Sequence, residues 1–524
     1  MEERLKLRET RAAPRERAWV GRLLVHTEHP ERAITWLGAH DDPQVATVRG
    51  LALGRVGSLT ESVRQLEAAV AAGAGPSTAS ELRRARANLC AVSEDWRPAA
   101  PPGSRYPAVP GRVLHLLNNS LPQVQAGYTV RAQRVAFAQR AEGFEPVMAT
   151  RPGFPWDTGS FDASPRDLVD GIPYHHVRAD DLIGTGIAVR AERGAAALAP
   201  LVASLRPALL HPTSPFVNAQ MALALRETFG MPVVYEMRGF LEDTWLSRRG
   251  PGAEESEFYR LTRATEGRCA AAADHIVTLG VAMRDDLVTR GVDRASITVV
   301  PNGVDIERFR VSGIGQALRS GLGLDRSVVL GYISSLVGYE GVETLLAAVR
   351  ELRDRGHGDV RGLIVGDGAA RSGLEATCAR LGLEGAVTFT GRVPHDEVLA
   401  YYEAIDIFVV PRRDERVCRL VTPLKPVEAM AMQRCVVVSA LPALEELITP
   451  GVSGFTFTAD DAGSLADVVE PLIADPRQRA EAGAAAREQV REERTWQANG
   501  RRYRAIYEQL GVPPGPPDAA SPGD

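Results

Sequence analysis

Lysine is almost missing from this chain of 524 residues: among 61 basic residues only Lys6 and Lys425 are lysines, and the rest are arginine. The skew, with its abundant alanine and glycine, fits a GC-rich genome in which arginine stands wherever it will serve. A lysine kept inside the folded body is then a candidate for work that suits a compact, rotatable ammonium and not a planar guanidinium. The alternative is a lysine left by accident on a solvated face. Cysteine is scarce too. Cys90, Cys269, Cys378, Cys418 and Cys435 are odd in number and form no C-x-x-C pair, so neither a disulfide framework nor a zinc site is indicated. No apolar run approaches the ~18 residues of a membrane span. The opening MEERLKLRETRAAPRER lacks the apolar stretch of a secretory signal, and a cytoplasmic location is expected. Neither charge sign dominates: 66 acidic residues leave a net charge of −5, which argues against a chain built mainly to hold nucleic-acid phosphates. There is no G-x-x-x-x-G-K-[ST] loop, no D-x-D at a strand end and no His/Asp/Glu cluster with metal-ligand spacing. A P-loop enzyme is not expected, and neither is a metal or a resident cofactor.

What is present points to several domains, since a chain of this length exceeds one ordinary core. Its 44% apolar and 24% charged residues are the balance of a globular protein. Residues 1–94 read as a helical extension, similar to a degenerate tetratricopeptide unit, with breaks at Gly57, Gly73–Gly75 and Pro76. A plain appendage and an arm for a partner protein or for oligomerisation both fit that pattern. The prolines of 95–110 mark a linker. From 111 onward short apolar runs such as RVLHLLN and PVVYEM alternate with helical stretches, the pattern of βαβ units around a parallel sheet. The rhythm restarts near 310 with SVVLGYI, RGLIVGDG, AVTFTG, IDIFVVP, CVVVSA and GFTFT. The expected fold class is therefore α/β, with two Rossmann-like doubly wound domains at 111–308 and 309–485. A helix over 486–509 is expected to pack back across them, and a structureless tail to follow at 510–524. Ligands of such sheets bind beyond the carboxyl ends of strands, so a cleft faced by both domains is the expected site.

Two segments carry chemistry. NNSLPQVQAGYTVRAQ (118–133) puts Gly127 at the entry to a helix after the first strand. A glycine there lets amides and the helix N-terminus approach an anion, and an ordinary tight turn explains it as well. VVPRRDERVCRLVTPLKPVEAMAM (409–432) gathers Arg412, Arg413, Arg416, Arg419 and Lys425 ahead of a helix, with Glu428 on its first turn. Fixed positive charge at a helix start suits a pyrophosphate, and a carboxylate one turn on suits paired ribose hydroxyls. The bland alternative is a solvated basic loop. GDGAAR (366–371) and GIGQAL (313–318) lack a full dinucleotide signature and read as turns.

VVPNGVD (299–305), FTGRVPHDEVLAYYEAIDIFVVP (389–411), KPVEAMAM (425–432) and GVSGFTF (451–457) resemble glycosyltransferase family 4 over about residues 110–505. The chain is most similar to a subgroup whose motifs here read Ser120–Pro122, Gly127–Arg131, Tyr235–Asp243, Tyr339–Gly341 and Val421–Ala431. The resemblance implies the GT-B fold and a retaining transferase. It would move a sugar from a UDP- or GDP-sugar to a small-molecule or glycan acceptor, without a metal. It places Gly127, Tyr128, Ser335, Arg392, Val393, Arg416, Thr422, Pro423, Leu424 and Glu428 at the donor. Catalytic roles fall to Lys425, Arg412, Glu236, Arg238 and His211, and Glu242, Asp243 and Thr213 lie toward the acceptor. Glu242 and Asp243 could equally cap the helix that follows them.

Departures from the family pattern matter as much. The arginine and lysine usual after the first strand of the second domain are replaced by GYISSLVGYEG, with Ser334 or Ser335 and Glu340 near those positions. Only the second glutamate of E-x7-E remains, as Glu428; Leu420 occupies the place of the first. Lys425, Arg412 and Arg416 are expected to supply the missing charge. The altered positions also motivate two rival readings: transfer to a sulfur or nitrogen acceptor, and a catalytically silent nucleotide-binding scaffold.

Overall fold

The computed structural model describes residues 13–250, 252–394 and 397–516. The chain forms two compact units, one of residues 1–125, 145–276 and 290–292, the other of 126–144, 277–289 and 293–524.

The first unit begins with five helices: α1 (Pro14–His26), α2 (Pro30–Leu37), α3 (Pro43–Arg55), α4 (Leu59–Ala71) and α5 (Pro76–Val92). Proline opens four of them, where its missing N–H costs no hydrogen bond. Asp42 caps α3 by accepting from the amides of Gln44 and Val45. Small residues let the helices approach closely: Gly50 of α3 lies against Leu66 of α4, and Gly21 of α1 against Leu37 of α2. Behind the array lies a sheet in the order β3–β4–β2–β1–β5, built from β1 (Arg112–Leu117), β2 (Glu145–Thr150), β3 (Arg166–Val169), β4 (Ile172–His175) and β5 (Leu209–Pro212). All neighbours are parallel except the β3–β4 hairpin, which the apolar pattern did not foretell. β3 alternates exposed and half-buried residues at the sheet edge, so it shows no apolar run. β6 (Val234–Met237) continues beside β5 through bridges at Leu210–Val233 and Thr213–Glu236.

β7 (His275–Thr278) carries the chain into the second unit, where β8 (Ile297–Val299) follows. The main sheet there is β9 (Val328–Ile333), β10 (Val360–Val365), β11 (Val387–Gly391), β12 (Ile407–Val410), β13 (Cys435–Ser439) and β14 (Phe455–Phe457). Its order is β11–β10–β9–β12–β13–β14, parallel throughout, with the doubly wound reversal between β9 and β12. The inner strands β9, β10, β12 and β13 are buried on both faces and read as apolar runs, whereas the edge strands β11 and β14 are half-buried.

Three expectations change here. The helix Gly127–Ala141, expected within the first domain, belongs to the second unit. It packs on the helix Trp496–Gln509: Gly500 sits against the Ala138 carbonyl, and Gln139 Nε2 donates to Tyr507 Oη at 2.6 Å. The last helical stretch is two helices, Pro476–Glu493 and Trp496–Gln509, divided where Thr495 caps the second. Both lie in the second unit. The tail is ordered further than composition suggested: Val512 is buried and Gly515 N donates to Gly143 O at 2.9 Å. The remainder of that expectation, 517–524, and Lys6 lie outside the described residues.

Candidate functional site

In the second unit the segment after β12 descends to the short helix Lys425–Ala431. Two side chains set the path of residues 421–424. Arg412 Nη1 donates to the Val421 carbonyl at 3.0 Å, and Asn302 Nδ2 to the Thr422 carbonyl at 3.0 Å. Asn302 is itself held by Arg131, whose guanidinium also reaches the carbonyls of Val300 and Pro301. The carbonyls are thus turned into the protein. The amides of Thr422, Leu424 and Lys425 donate to no described group. Unspent amides at a helix start are what an anion requires.

Lys425 Nζ stands 2.9 Å from Glu428 Oε2, with 30% of the lysine side chain exposed against 6% of the glutamate. Tyr402 Oη donates to the same oxygen at 2.6 Å. Burial, and then the neighbouring carboxylate, push the Tyr402 hydroxyl far above its ordinary range, so it stays a donor. Lysine and tyrosine together fix one carboxylate oxygen of Glu428. Glu428 and Leu424 also line a small hollow with Gly303, Asp305, Arg134, Arg308 and Trp496. Arg134 is half-buried there, makes no ion pair with a described carboxylate, and lies over the Phe137 ring at 5.9 Å from its centroid.

Arg412 is placed otherwise than expected. Its side chain is 10% exposed and forms a two-armed ion pair with Glu340, Nε to Oε2 at 3.2 Å and Nη2 to Oε1 at 2.9 Å. Tyr332 donates to the same carboxylate. Burial works against the guanidinium charge, but Glu340 outweighs it and holds the group above its ordinary range. The charge expected to meet a diphosphate is spent inside the fold. Arg416 pairs with Asp286, Nη2 to Oδ1 at 2.7 Å, and keeps 35% of its side chain exposed. Pro423 is buried and Val393 half-buried, whereas Arg392, Ser335 and Tyr128 are exposed. The GDG segment proves to be a packing turn, as expected. Gly366 has φ +135°, and a Cβ there would lie 1.8 Å from the Ser334 carbonyl. Gly127 differs: its φ is not left-handed and a Cβ would meet nothing within 4 Å, so the protein's own packing does not demand glycine.

In the first unit the expected acceptor and catalytic groups are interior. His211 Nε2 lies 3.0 Å from Glu236 Oε2, and Glu236 Oε1 accepts from Arg238 Nε at 2.8 Å. His211 also stacks on His115 at 4.4 Å between ring centroids. His211 and Glu236 have no exposed surface, and only Arg238 reaches toward it, with 9% of its side chain exposed. The Thr213 hydroxyl donates to the Leu116 carbonyl at 3.3 Å. Glu242 and Asp243, expected at the acceptor or as helix caps, make no capping hydrogen bond to the helix that follows. Glu242 pairs with Arg290 at 2.7 Å and Asp243 accepts from Tyr259 Oη at 2.9 Å, both fully buried. Arg290 offsets the cost of burying Glu242, and no sequence pattern pointed to Arg290. Glu266, adjoining Tyr235 at 2.7 Å, was missed for the same reason.

The sequence matches two family models, a glycosyl transferase 4-like domain over residues 126–303 and glycosyl transferases group 1 over residues 327–475. It is 29% identical to an alpha-D-kanosaminyltransferase of Streptomyces kanamyceticus, over 37% of this chain and 49% of that protein. It is 26% identical to a glycogen synthase of Mycobacterium tuberculosis, over 58% of this chain and 69% of that one. The alignment thus spans about half the length of the first relative. The fold is similar to the sucrose-phosphate synthase of Thermosynechococcus elongatus, with TM-score 0.64 and 20% identity over 76% of this chain and 99% of that one. The two doubly wound units have the GT-B fold, and the matched segments 126–303 and 327–475 are similar to glycosyltransferase domains. Among the described residues no helix is long and apolar enough to cross a membrane.

Proposed function

We propose that this enzyme is a retaining glycosyltransferase that moves a sugar from a UDP- or GDP-sugar to a small-molecule or glycan acceptor without a metal ion. The observation that carries the reading is the convergence of Lys425 and Tyr402 on Glu428 beside three unspent amides. In this scheme Glu428 offers its carboxylate to the ribose hydroxyls, and Lys425 swings from Glu428 to the diphosphate. The amides of Thr422, Leu424 and Lys425 receive phosphate oxygens, and Gly127 admits the diphosphate close to its own helix start. As the anomeric C–O bond breaks, charge grows on the departing diphosphate, and fixed ammonium and amide dipoles stabilise it without reorganisation. The acceptor attacks from the same face, and its proton passes to the leaving phosphate oxygen, so no enzymic nucleophile is needed. Arg412 has no part in this scheme: with its charge matched by Glu340, it serves by holding the Val421 carbonyl.

The test is Lys425→Ala, assayed for sugar transfer and for slow hydrolysis over a panel of UDP- and GDP-sugars, with and without a chelator. Turnover should fall about 10²- to 10³-fold in the variant, and the chelator should change nothing. Near-normal turnover in the variant, or activity lost to the chelator, overturns the proposal. One observation favours a rival reading, a silent nucleotide-binding scaffold: Glu340 stands where the family usually has positive charge and takes up Arg412. A panel in which nucleotides raise the melting temperature and no sugar is released would establish that rival.

A further inference from the structure

Helix α1 turns one stripe outward. Arg15, Trp19, Arg22 and His26 are spaced four, three and four residues apart, so they share a helix face. All four are exposed, Trp19 by 66%. A single exposed aromatic is unremarkable on a protein surface, but this one is flanked at helical-neighbour positions by two arginines. Neither makes an ion pair with any described carboxylate. Two hollows open along the stripe, of about 570 and 600 Å³, and both are lined by Arg22. Each is of the size that receives ligand groups.

The lining of both hollows is net positive, Arg15 and Arg22 against Asp42 in the first and Arg22, Arg55 and Arg84 against Glu81 in the second. In the first, the carboxylate of Asp42 is already engaged by the amides of Gln44 and Val45 at the start of α3. In the second, Glu81 is paired with Arg84. That leaves Arg15, Arg22 and Arg55 as cations without a described partner, around an exposed indole. Tryptophan and arginine are the side chains that protein interfaces favour as anchors. A nucleic-acid strand fits poorly, because its close-set phosphates demand a denser run of cations and no interleaved carboxylates.

We propose that the face formed by α1 and these hollows docks an acidic peptide segment of another protein, with carboxylates on the free arginines and a bulky apolar side chain against Trp19. The array lies outside both family-matched regions, 126–303 and 327–475.

The test uses the full chain and fluorescence polarisation with three labelled probes. These are a short Glu/Asp-rich peptide carrying a central Leu and Phe, its Gln/Asn counterpart, and an oligothymidylate of equal length. The acidic peptide should bind, more weakly as salt rises, and the other two should not. Arg15→Ala/Arg22→Ala and Trp19→Ala should each weaken binding about tenfold or more, with melting temperature and sugar transfer unchanged. No binding of the acidic peptide at millimolar concentration overturns the proposal. So does equal binding of the neutral peptide, tighter binding of the oligonucleotide, or affinity that neither variant alters in a folded chain.

Discussion

Arg412 and Glu340 close a two-armed ion pair at 2.9 and 3.2 Å beneath the loop that leads to Lys425. The pair joins Glu340 to an arginine that sequence reasoning assigned to the diphosphate. Burial decides between the roles. A guanidinium with 10% of its side chain exposed, matched by an almost wholly buried carboxylate, is committed to the fold.

Arg412→Met should therefore destabilise the protein by about 3–5 kcal/mol, because it leaves Glu340 buried and unmatched. Arg412→Met combined with Glu340→Leu should recover most of that loss. Denaturant midpoints of the three proteins check the prediction. A single variant as stable as the parent but inactive would return Arg412 to the reaction.

Glu428→Gln should weaken donor binding while leaving the melting temperature close to that of the parent, since Tyr402 and Lys425 still find an amide oxygen. Tyr402→Phe removes one hydrogen bond to a charged group and should raise the donor Kd about tenfold. Calorimetric titration with a non-hydrolysable donor analogue measures both. Unchanged affinity in Glu428→Gln would remove that carboxylate from the ribose.

Two glycines should respond in opposite ways. Gly341 has φ +65°, and a Cβ there would sit 2.0 Å from the Pro411 carbonyl, so Gly341→Ala should cost about 2 kcal/mol or more of stability. Gly127 faces open space, so Gly127→Val should leave the melting temperature unchanged and lower donor affinity. Thermal unfolding and donor titration on the two variants separate a packing glycine from a binding one.

Glu266 gives the protein a pH signature. Full burial, and then the neighbouring Glu242, push its carboxyl up to about 8 from an ordinary 4.5. Between those values the folded state keeps a proton that the unfolded chain has lost. The stabilisation is complete below about pH 4.5 and is lost as pH rises through about 8. Glu266→Gln should flatten that part of the stability profile, as read from denaturant midpoints across the range. A slope that persists in the variant would assign the effect elsewhere.

Much of the architecture is written locally. Apolar runs specify the inner strands β9, β10, β12 and β13 of the main sheet in the second unit, because strands buried on both faces have no alternation to blur. The edge hairpin β3–β4 was illegible because half of it faces solvent. The helix Gly127–Ala141 was legible as a helix but not as part of the second unit, since Gln139, Ala138 and Gly500 meet only across a long stretch of chain. The site divides in the same way. Lys425 and Glu428 are three residues apart, so a helix places them together. Tyr402 and Asn302 come from distant segments and no spacing announces them.

By itself the sequence determined the two strand-helix rhythms, the helical array and the pairing of a rare lysine with a glutamate one turn on, because each depends on neighbours within a few residues. Only the tertiary structure decided which charges are available to a ligand. It buried Arg412 against Glu340 and Glu242 against Arg290, and left Lys425, paired with Glu428, and Arg416, paired with Asp286, partly exposed. Coulomb attraction and desolvation act through space, between partners up to 130 residues apart, and chain order does not encode them.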